Sequence, residues 1–309
     1  MQKVELVSSQ DVERMLLESL RNNELPDCFL YLDRDGLRNY LLYNEMISKT
    51  LPDNIFSMTL ECFRNYLPAK FNAVCITIGN GAEEGQLLVS LKDRIKQCFF
   101  IDICPALISL ILSKTAHLGI DSTGLVSFVE DLEVLSAYWN SPILYCLLGN
   151  RFCNYEAESF LESIAMLLGK NDFFLFNCPV YDSGTACHTR FEIEQKYKSL
   201  EHVRYNASVL LCHGARIDDF QFHLDLLLSS SAAGPIYRTR KRINFLKQTR
   251  LQCSNGSVDF KTGEHLSMGS IYRYSSHQLL TLVNICGLSV VAQAQSQTDM
   301  TILCKVTEK

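Results

Sequence analysis

The sequence predicts an α/β fold: a mostly parallel sheet with helices on both faces and an antiparallel last strand, beside a smaller α+β lobe. Three observations point there. Short apolar runs alternate with amphipathic segments from Ala73 to Phe176. The first run opens directly onto Gly79-Asn80-Gly81. The alternation breaks after Asp182 and returns near the C-terminal end. A chain of 309 residues suits one large domain and a second lobe. The pattern assigns 55–182 and 275–309 to the sheet domain, and 1–54 and 183–274 to the lobe.

Val12, Met15, Leu16 and Leu20 share one helical face, with Ser9 as the expected N-cap. Pro26 and Asp35-Gly36 are turn signals ahead of mixed helix up to Pro52. Ala73–Ile78 reads as a buried strand, and Leu87 and Leu91 belong to the helix after it. Cys98–Ile101 is a second strand ending at Asp102, and Pro105 stands where the first residue of a helix would be. Leu125–Val129, Ile143–Leu148 and Phe173–Phe176 are the third, fourth and fifth strands. A helix between Glu156 and Leu168 carries Phe160, Leu161, Ile164, Leu167 and Leu168 on one face, with Gly169 expected just past its end.

From 183 to about 230 the chain is polar and helix-leaning. Ile236–Leu246 alternates apolar and basic residues, which suits a half-exposed strand, and Asn255-Gly256 marks a hairpin. Ser276–Cys286 reads as a helix closed by Gly287. Leu288–Gln293 and Met300–Val306 read as two antiparallel strands.

Composition narrows the function. Charged residues make up 20% and the formal net charge is −5, which argues against nucleic acid as the main partner. No apolar run is long enough for a membrane span and no signal-peptide pattern opens the chain, so the expected setting is cytoplasmic, with no membrane partner. The 13 cysteines are then expected as buried thiols. No C-x-x-C pair occurs, so no metal site is expected.

The stretch Val74-Cys75-Ile76-Thr77-Ile78-Gly79-Asn80-Gly81 carries the most chemistry. Small residues at the carboxyl end of a strand let a ligand approach the backbone where open α/β sheets bind cofactors. Asp102 lies 21 positions after Gly81, placed to accept from ribose hydroxyls or to hold the entry into the next helix. Glu130-Asp131 follows the third strand, where a carboxylate can take an adenine amino group or simply face solvent. These features fit a nicotinamide enzyme and a methyltransferase alike.

The segments Ile78-Gly79-Asn80-Gly81, Ile101-Asp102 and Leu147-Leu148-Gly149-Asn150-Arg151-Phe152-Cys153-Asn154-Tyr155 together resemble the histidine methyltransferase family of ergothioneine biosynthesis. In that family the fourth strand enters a glycine-containing loop that ends in Asn and an aromatic residue. The similarity continues at Gly263-Glu264 and Ser270-Ile271-Tyr272-Arg273-Tyr274-Ser275, and at Tyr31-Leu32-Asp33-Arg34-Asp35-Gly36. It implies a class I methyltransferase fold of Rossmann-like type, with S-adenosyl-L-methionine as cofactor. Thr77, Gly79, Asn80, Gly81, Asp102, Glu130, Asp131 and Gly149 would contact the cofactor; Asn154, Tyr31, Tyr272 and Tyr274 would line the substrate pocket.

The sequence departs from the family at several places. Cys75 and Thr77 stand where the first motif has an acidic residue and a further glycine. Leu32 stands at the place of one of the family's pocket tyrosines, with Tyr31 adjacent, and a second such tyrosine aligns near Lys49; Gly269 and Ile271 replace the Glu and Ser that grip histidine. A site that loses its hydrogen-bonding partners loses selectivity for a polar substrate. The expected substrate is therefore a small amine or amino-acid-like molecule other than histidine, methylated on nitrogen. A methyltransferase-like binding or scaffold protein without catalysis is the alternative. The basic stretch Arg238, Arg240, Lys241, Arg242, Lys247 and Arg250 is expected as a solvated strand face.

Overall fold

The computed structural model describes residues 1–48, 55–77, 79, 81–149, 151–182, 199–296 and 298–307. Its strands, in chain order, are β1 (Gln2–Glu5), β2 (Glu24–Leu25), β3 (Phe71–Ile76), β4 (Ile95–Asp102), β5 (Asp121–Val126), β6 (Ile143–Leu147), β7 (Phe173–Pro179), β8 (Phe220–Ser231), β9 (Gly234–Phe245), β10 (Thr249–Cys253), β11 (Gly256–Phe260), β12 (His265–Arg273), β13 (Leu288–Gln295) and β14 (Asp299–Val306). Eight of them form one sheet in the order β1-β5-β4-β3-β6-β7-β14-β13. The pairings from β1 to β7 are parallel, and β14 is antiparallel to both its neighbours.

Strands buried on both faces need apolar residues at consecutive positions, and β6 is buried throughout. The helices α4 (Ala82–Leu91) and α5 (Pro105–Thr115) pack Leu87, Leu88, Leu91, Ile108 and Ile111 on one face. On the other face α7 (Ala157–Leu167) and a C-terminal helix at Ser276–Ile285 contribute Leu161, Ile164, Leu279 and Leu282. A third apolar core lies in the lobe. There α1 (Ser9–Arg21) sets Leu16, Leu17 and Leu20 against Ile243, Phe245, Leu251 and Phe260. The lobe's sheet runs β2-β12-β9-β8, with β10-β11 as a separate hairpin.

Several boundaries differ from expectation for identifiable reasons. The third core strand runs Asp121–Val126 rather than Leu125–Val129. Its first half is Ser122, Thr123 and Gly124, buried but not apolar, so hydropathy misses it. A Cβ on Gly124 would lie 2.3 Å from the Ile108 side chain, so α5 packs directly on the strand backbone. β1 pairs with β5 in the large sheet, so the chain's first strand lies outside the lobe to which 1–54 was assigned. It is a short, mostly exposed edge strand of alternating charge and gives no apolar signal.

Asp35-Gly36 is not a turn but the first part of helix α2 (Arg34–Ser48). Asp33 Oδ1 accepts from the Gly36 N–H at 2.7 Å, and a Cβ on Gly36 would lie 2.5 Å from the Leu30 carbonyl oxygen. Residues 220–231 form the long strand β8, where polar, helix-leaning chain was expected. The hairpin with β9 supplies its ladder along its whole length. Two short helices, Leu200–Asn206 and Ser208–Cys212, precede it. Ser8, not Ser9, caps α1, accepting from the Asp11 N–H.

Gly169 does not adopt the left-handed conformation expected past α7; the helix ends through an extended Leu168. The turn is held instead by Asp172, which is 4% exposed. Its carboxylate accepts from the Ile143 N–H at 2.9 Å and from the Gly169 N–H at 2.8 Å. Asp172 thus ties the start of β6 to the start of β7. Asp172→Ala strands two buried donors and is expected to lower stability by about 3 kcal/mol in urea unfolding. A change under about 0.5 kcal/mol would show that water replaces the carboxylate there.

Candidate active site

The chain runs β3, β4, β5 to one side of the sheet, then crosses back so that β6 lies on the other side of β3. The order therefore reverses between β3 and β6. Loops leaving the carboxyl ends of two such strands diverge to opposite faces and open a crevice. Gly79 follows β3 and Gly149 follows β6, with φ of +54° and +74°. The two glycines named in the sequence thus flank one crevice.

Each glycine has its own steric reason. A Cβ on Gly81, which caps α4 at φ +73°, would lie 2.4 Å from Ile111 Cδ1. That position serves the close packing of α4 on α5. A Cβ on Gly79 would lie 2.1 Å from Arg151 Nη2 and 2.5 Å from the Tyr40 hydroxyl. A Cβ on Gly149 would lie 2.9 Å from the same Nη2. The Arg151 guanidinium therefore rests in the cradle between the two loops. Its Nη1 donates to Glu84 Oε1 at 2.7 Å and to the Leu148 carbonyl.

Glu84 sits in the first turn of α4 with a side chain 1% exposed. Burial pushes its carboxyl up to about 8, with Arg151 opposing and Glu83 and Cys75 adding to the rise. Arg151 stays cationic: burial works against its charge, but Glu84, then Tyr40 and Glu83, outweigh it and hold its pKa above the ordinary value.

Thr77 connects β3 to the cradle. Its φ is +49°, a left-handed conformation that a β-branched residue adopts only under strain. Its N–H donates to the Ile101 carbonyl at 2.8 Å. Cys75 pairs with Cys146 across β3 and β6 inside the apolar core, so its thiol belongs to packing and not to the crevice. Ile78, Asn80, Asn150 and Lys49 lie outside the described residues.

Asp102 ends β4 next to the cradle and is 2% exposed. Its Oδ1 accepts from the Cys104 N–H at 2.8 Å, so one oxygen holds the turn into α5, which begins at Pro105 as expected. Of the pair after β5, Asp131 is tied back to the strand end, its Oδ2 accepting from Ser127 Oγ at 2.8 Å. Glu130 is exposed on a short turn. Its charge reaches the Tyr155 hydroxyl and the Cys28 thiol. Burial first, and then Glu130, raises both groups, Cys28 to about 12. Asp102 adds to both shifts.

Tyr31 stands over the same corner. Burial raises its hydroxyl well above the ordinary range, with Asp102 the next cause. The Cys104 thiol donates to its backbone carbonyl at 3.4 Å. Tyr31 packs on Tyr40 with ring centroids 5.3 Å apart, and Tyr40 on Tyr205 at the same separation. A row of tyrosines from the lobe thus closes over the ends of β3 and β4.

The other expected substrate residues are more dispersed. Asn154 ends a short turn at Arg151–Asn154 and is exposed. Tyr274 is 1% exposed in the core, where its hydroxyl accepts from the Ala157 N–H at 3.2 Å. It packs and caps rather than lining a pocket. Tyr272 is half-buried and stacks on it at 6.3 Å. Gly269 has a clear structural meaning: a Cβ there would lie 2.6 Å from the Asp27 carboxylate. Asp27 in turn accepts from Lys241 Nζ at 2.5 Å, and Lys241 is 4% exposed. The basic stretch is therefore not simply a solvated face. Lys241 points inward, Arg240 and Arg242 share Asp225, and Lys247 and Arg250 pair with Asp219 and Asp259.

Sequence reasoning missed Glu84, Tyr40 and the role of Arg151. The available signal was an arginine directly after a fully apolar strand and its glycine loop, together with a glutamate three residues after Gly81.

With the core strands renumbered from β3, the sheet order is 3-2-1-4-5-7-6 with strand 7 antiparallel, plus β1 on the outer edge. That is the class I methyltransferase fold. The chain is similar to an S-adenosylmethionine-dependent methyltransferase from Clostridium acetobutylicum, at 11% identity over 86% of this chain and 97% of that one, with a TM-score of 0.47. It is similar to a sugar N-methyltransferase from a Streptoalloteichus species at 10% identity over 82% and 87%, with a TM-score of 0.40. It is also similar to a mitomycin 7-O-methyltransferase at 10% identity over 97% and 69%, with a TM-score of 0.48. No family model matches the sequence, and no curated protein is significantly similar to it.

Two outcomes follow from the cradle. Thr77→Gly relieves the left-handed strain and is expected to raise stability by about 1 kcal/mol, read from urea midpoints; a loss of stability would mean that the threonine side chain holds the turn. For Glu84, the folded state retains a proton that the unfolded chain releases above the ordinary value of 4.5. The stability linked to this group therefore falls as pH rises from about 4.5 to about 8. Unfolding series across that window are expected to show a shallower decline in Glu84→Gln than in the parent. Equal slopes would place the Glu84 carboxyl near its ordinary value.

Proposed function

We propose that the chain is an S-adenosyl-L-methionine-dependent methyltransferase acting on nitrogen of a small amine or amino-acid-like substrate other than histidine. The observation that carries this reading is the crevice where the strand order reverses, with Gly79 and Gly149 on its two sides and Asp102 at the end of the adjoining strand. The residues present suit the cofactor. Asp102, a buried carboxyl group at the end of β4, and Glu130, an exposed carboxylate after β5, support this reading.

Asp102 would accept from the ribose and Glu130 from the adenine amino group. Asp131, already engaged by Ser127, supports the loop. When bound, the cofactor supplies an electrophilic methyl on a sulfonium. The chain's own contribution is orientation and exclusion of water. Tyr31, Tyr40 and Tyr205 cover the corner beside Asp102 and keep it dry. Asn154, at the rim of the β6 loop, would hold the substrate nitrogen or its neighbouring polar group. The residue counterpart for histidine is not rebuilt: at Gly269 the space holds the Asp27 carboxylate, itself neutralised by Lys241. That favours a substrate different from histidine.

A cofactor-free scaffold is the second reading, favoured by Cys75 and Thr77 standing where the first motif of the resembling family has an acidic residue and a glycine. Calorimetric titration with S-adenosylmethionine and S-adenosylhomocysteine separates the two. Binding of either at micromolar concentration is expected, and no heat from either would leave the scaffold reading. Asp102→Ala is expected to weaken binding by about 1–3 kcal/mol through lost hydrogen bonds to the ribose; unchanged affinity would confine Asp102 to holding the turn into α5.

A further inference from the structure

The eight-stranded and four-stranded sheets end in β1 and β13 and in β2 and β8. An edge strand offers a row of N–H and C=O groups to another strand unless something blunts it. β1 has four residues and carries Lys3 and Glu5, and β2 has two residues. The register of β13 with β14 is broken between Val290 and Ala292. β8 has none of these devices. It runs for 12 residues without proline, lysine or a break in its register with β9. Among the described residues, β9 is its sole ladder neighbour. Alternate side chains share a face, and here they are Phe222, Leu224, Leu226 and Leu228. Leu226 is 38% and Leu228 68% exposed, and Tyr237, across the hairpin from Leu228, is 45% exposed. The strand's one carboxylate, Asp225, lies 3.2 Å from Arg240 and 3.7 Å from Arg242 on β9, so its charge is already opposed by cations.

We propose that β8 pairs antiparallel with β8 of a second copy of this chain, across a twofold axis at Leu224, joining the two lobe sheets into one of eight strands. The occupant is a second copy because the strand is complementary to itself. An axis at Leu224 sets His223 of each copy across from Asp225 of the other, a favourable cross-strand pair made twice. It also sets Leu226 across from Phe222 and Leu228 across from Phe220, so the exposed leucines meet apolar side chains. Moving the axis by one residue to Asp225 brings two carboxylates directly opposite each other, which is unfavourable. Moving it to Leu226 sets Asp225 across from Leu227 and His223 across from Ser229, and both charge pairs are lost. The charge pattern thus selects one register. An isologous contact of this kind closes at two copies and leaves no free β8 edge. The inference is independent of the cofactor and of the substrate.

Sedimentation equilibrium of the full chain over a micromolar concentration series tests this. The parent is expected to reach twice the 35.1 kDa mass of one chain. Leu228→Lys places a charge on a side chain that is exposed in the single copy and apposed to Phe220 in the pair. It is expected to weaken dimerisation at least about tenfold. His223→Glu faces Asp225 of the second copy with a like charge and is expected to weaken the dimer about threefold or more, whereas His223→Lys keeps it. Far-UV circular dichroism and urea midpoints matching the parent's confirm that the variants are folded. A parent that stays monomeric throughout the series would overturn the proposal. So would a dimer whose affinity survives Leu228→Lys or His223→Glu, because the contact would then lie elsewhere or in another register. Association that grows past two copies would overturn it as well, since a twofold edge pairing closes.

Discussion

Arg151 and Glu84 put a cation and a carboxyl group in contact beneath the surface where the strand order of the large sheet reverses. Neither is stable there alone, since an isolated buried charge is far more expensive than a paired one. Their contact joins the loop after β6 to the first turn of α4. It can form only because Gly79 and Gly149 carry no side chains. The crevice, its charge and the approach of Tyr40 from the lobe all follow from this one ion pair and the space around it.

The rest of the fold fixes the elements that frame that crevice. Asp172 pins β6 to β7, and the missing side chain at Gly124 lets α5 lie close to β5. Gly81 does the same for α4 and α5. Strain is concentrated at Thr77, where the chain leaves β3 with positive φ. Backbone strain of this kind clusters at ligand sites. Tyrosines from the lobe then close the corner beside Asp102, so the two cores meet across the site.

Much of the sheet was legible because buried strands are written in apolar runs. β3, β4, β6 and β7 were found within a few residues, and the terminal β13–β14 pair was read as antiparallel. β5 and β1 were not, since a strand of buried Ser, Thr and Gly and an exposed edge strand of alternating charge have no apolar signature. Asp35-Gly36 misled because a helix can start on the residues that also make turns. In the site, Gly79, Gly81 and Asp102 stood out by spacing alone. Tyr274 did not behave as its position suggested, because its hydroxyl is taken by the Ala157 amide. Glu84 was hidden because a glutamate in the first turn of a helix is ordinarily solvated, and only the three-dimensional contact shows it is 1% exposed.

The central claim is that the crevice between β3 and β6 receives S-adenosylmethionine along the edge from Asp102 to Arg151. Backbone hydrogen exchange with and without S-adenosylhomocysteine tests it directly. Slowed exchange is predicted in the peptides that cover the β3–α4 turn, the β4–α5 turn and the turn after β6, with the distant β10–β11 hairpin unchanged. Protection elsewhere, with those three turns exchanging at their free rates, would contradict it.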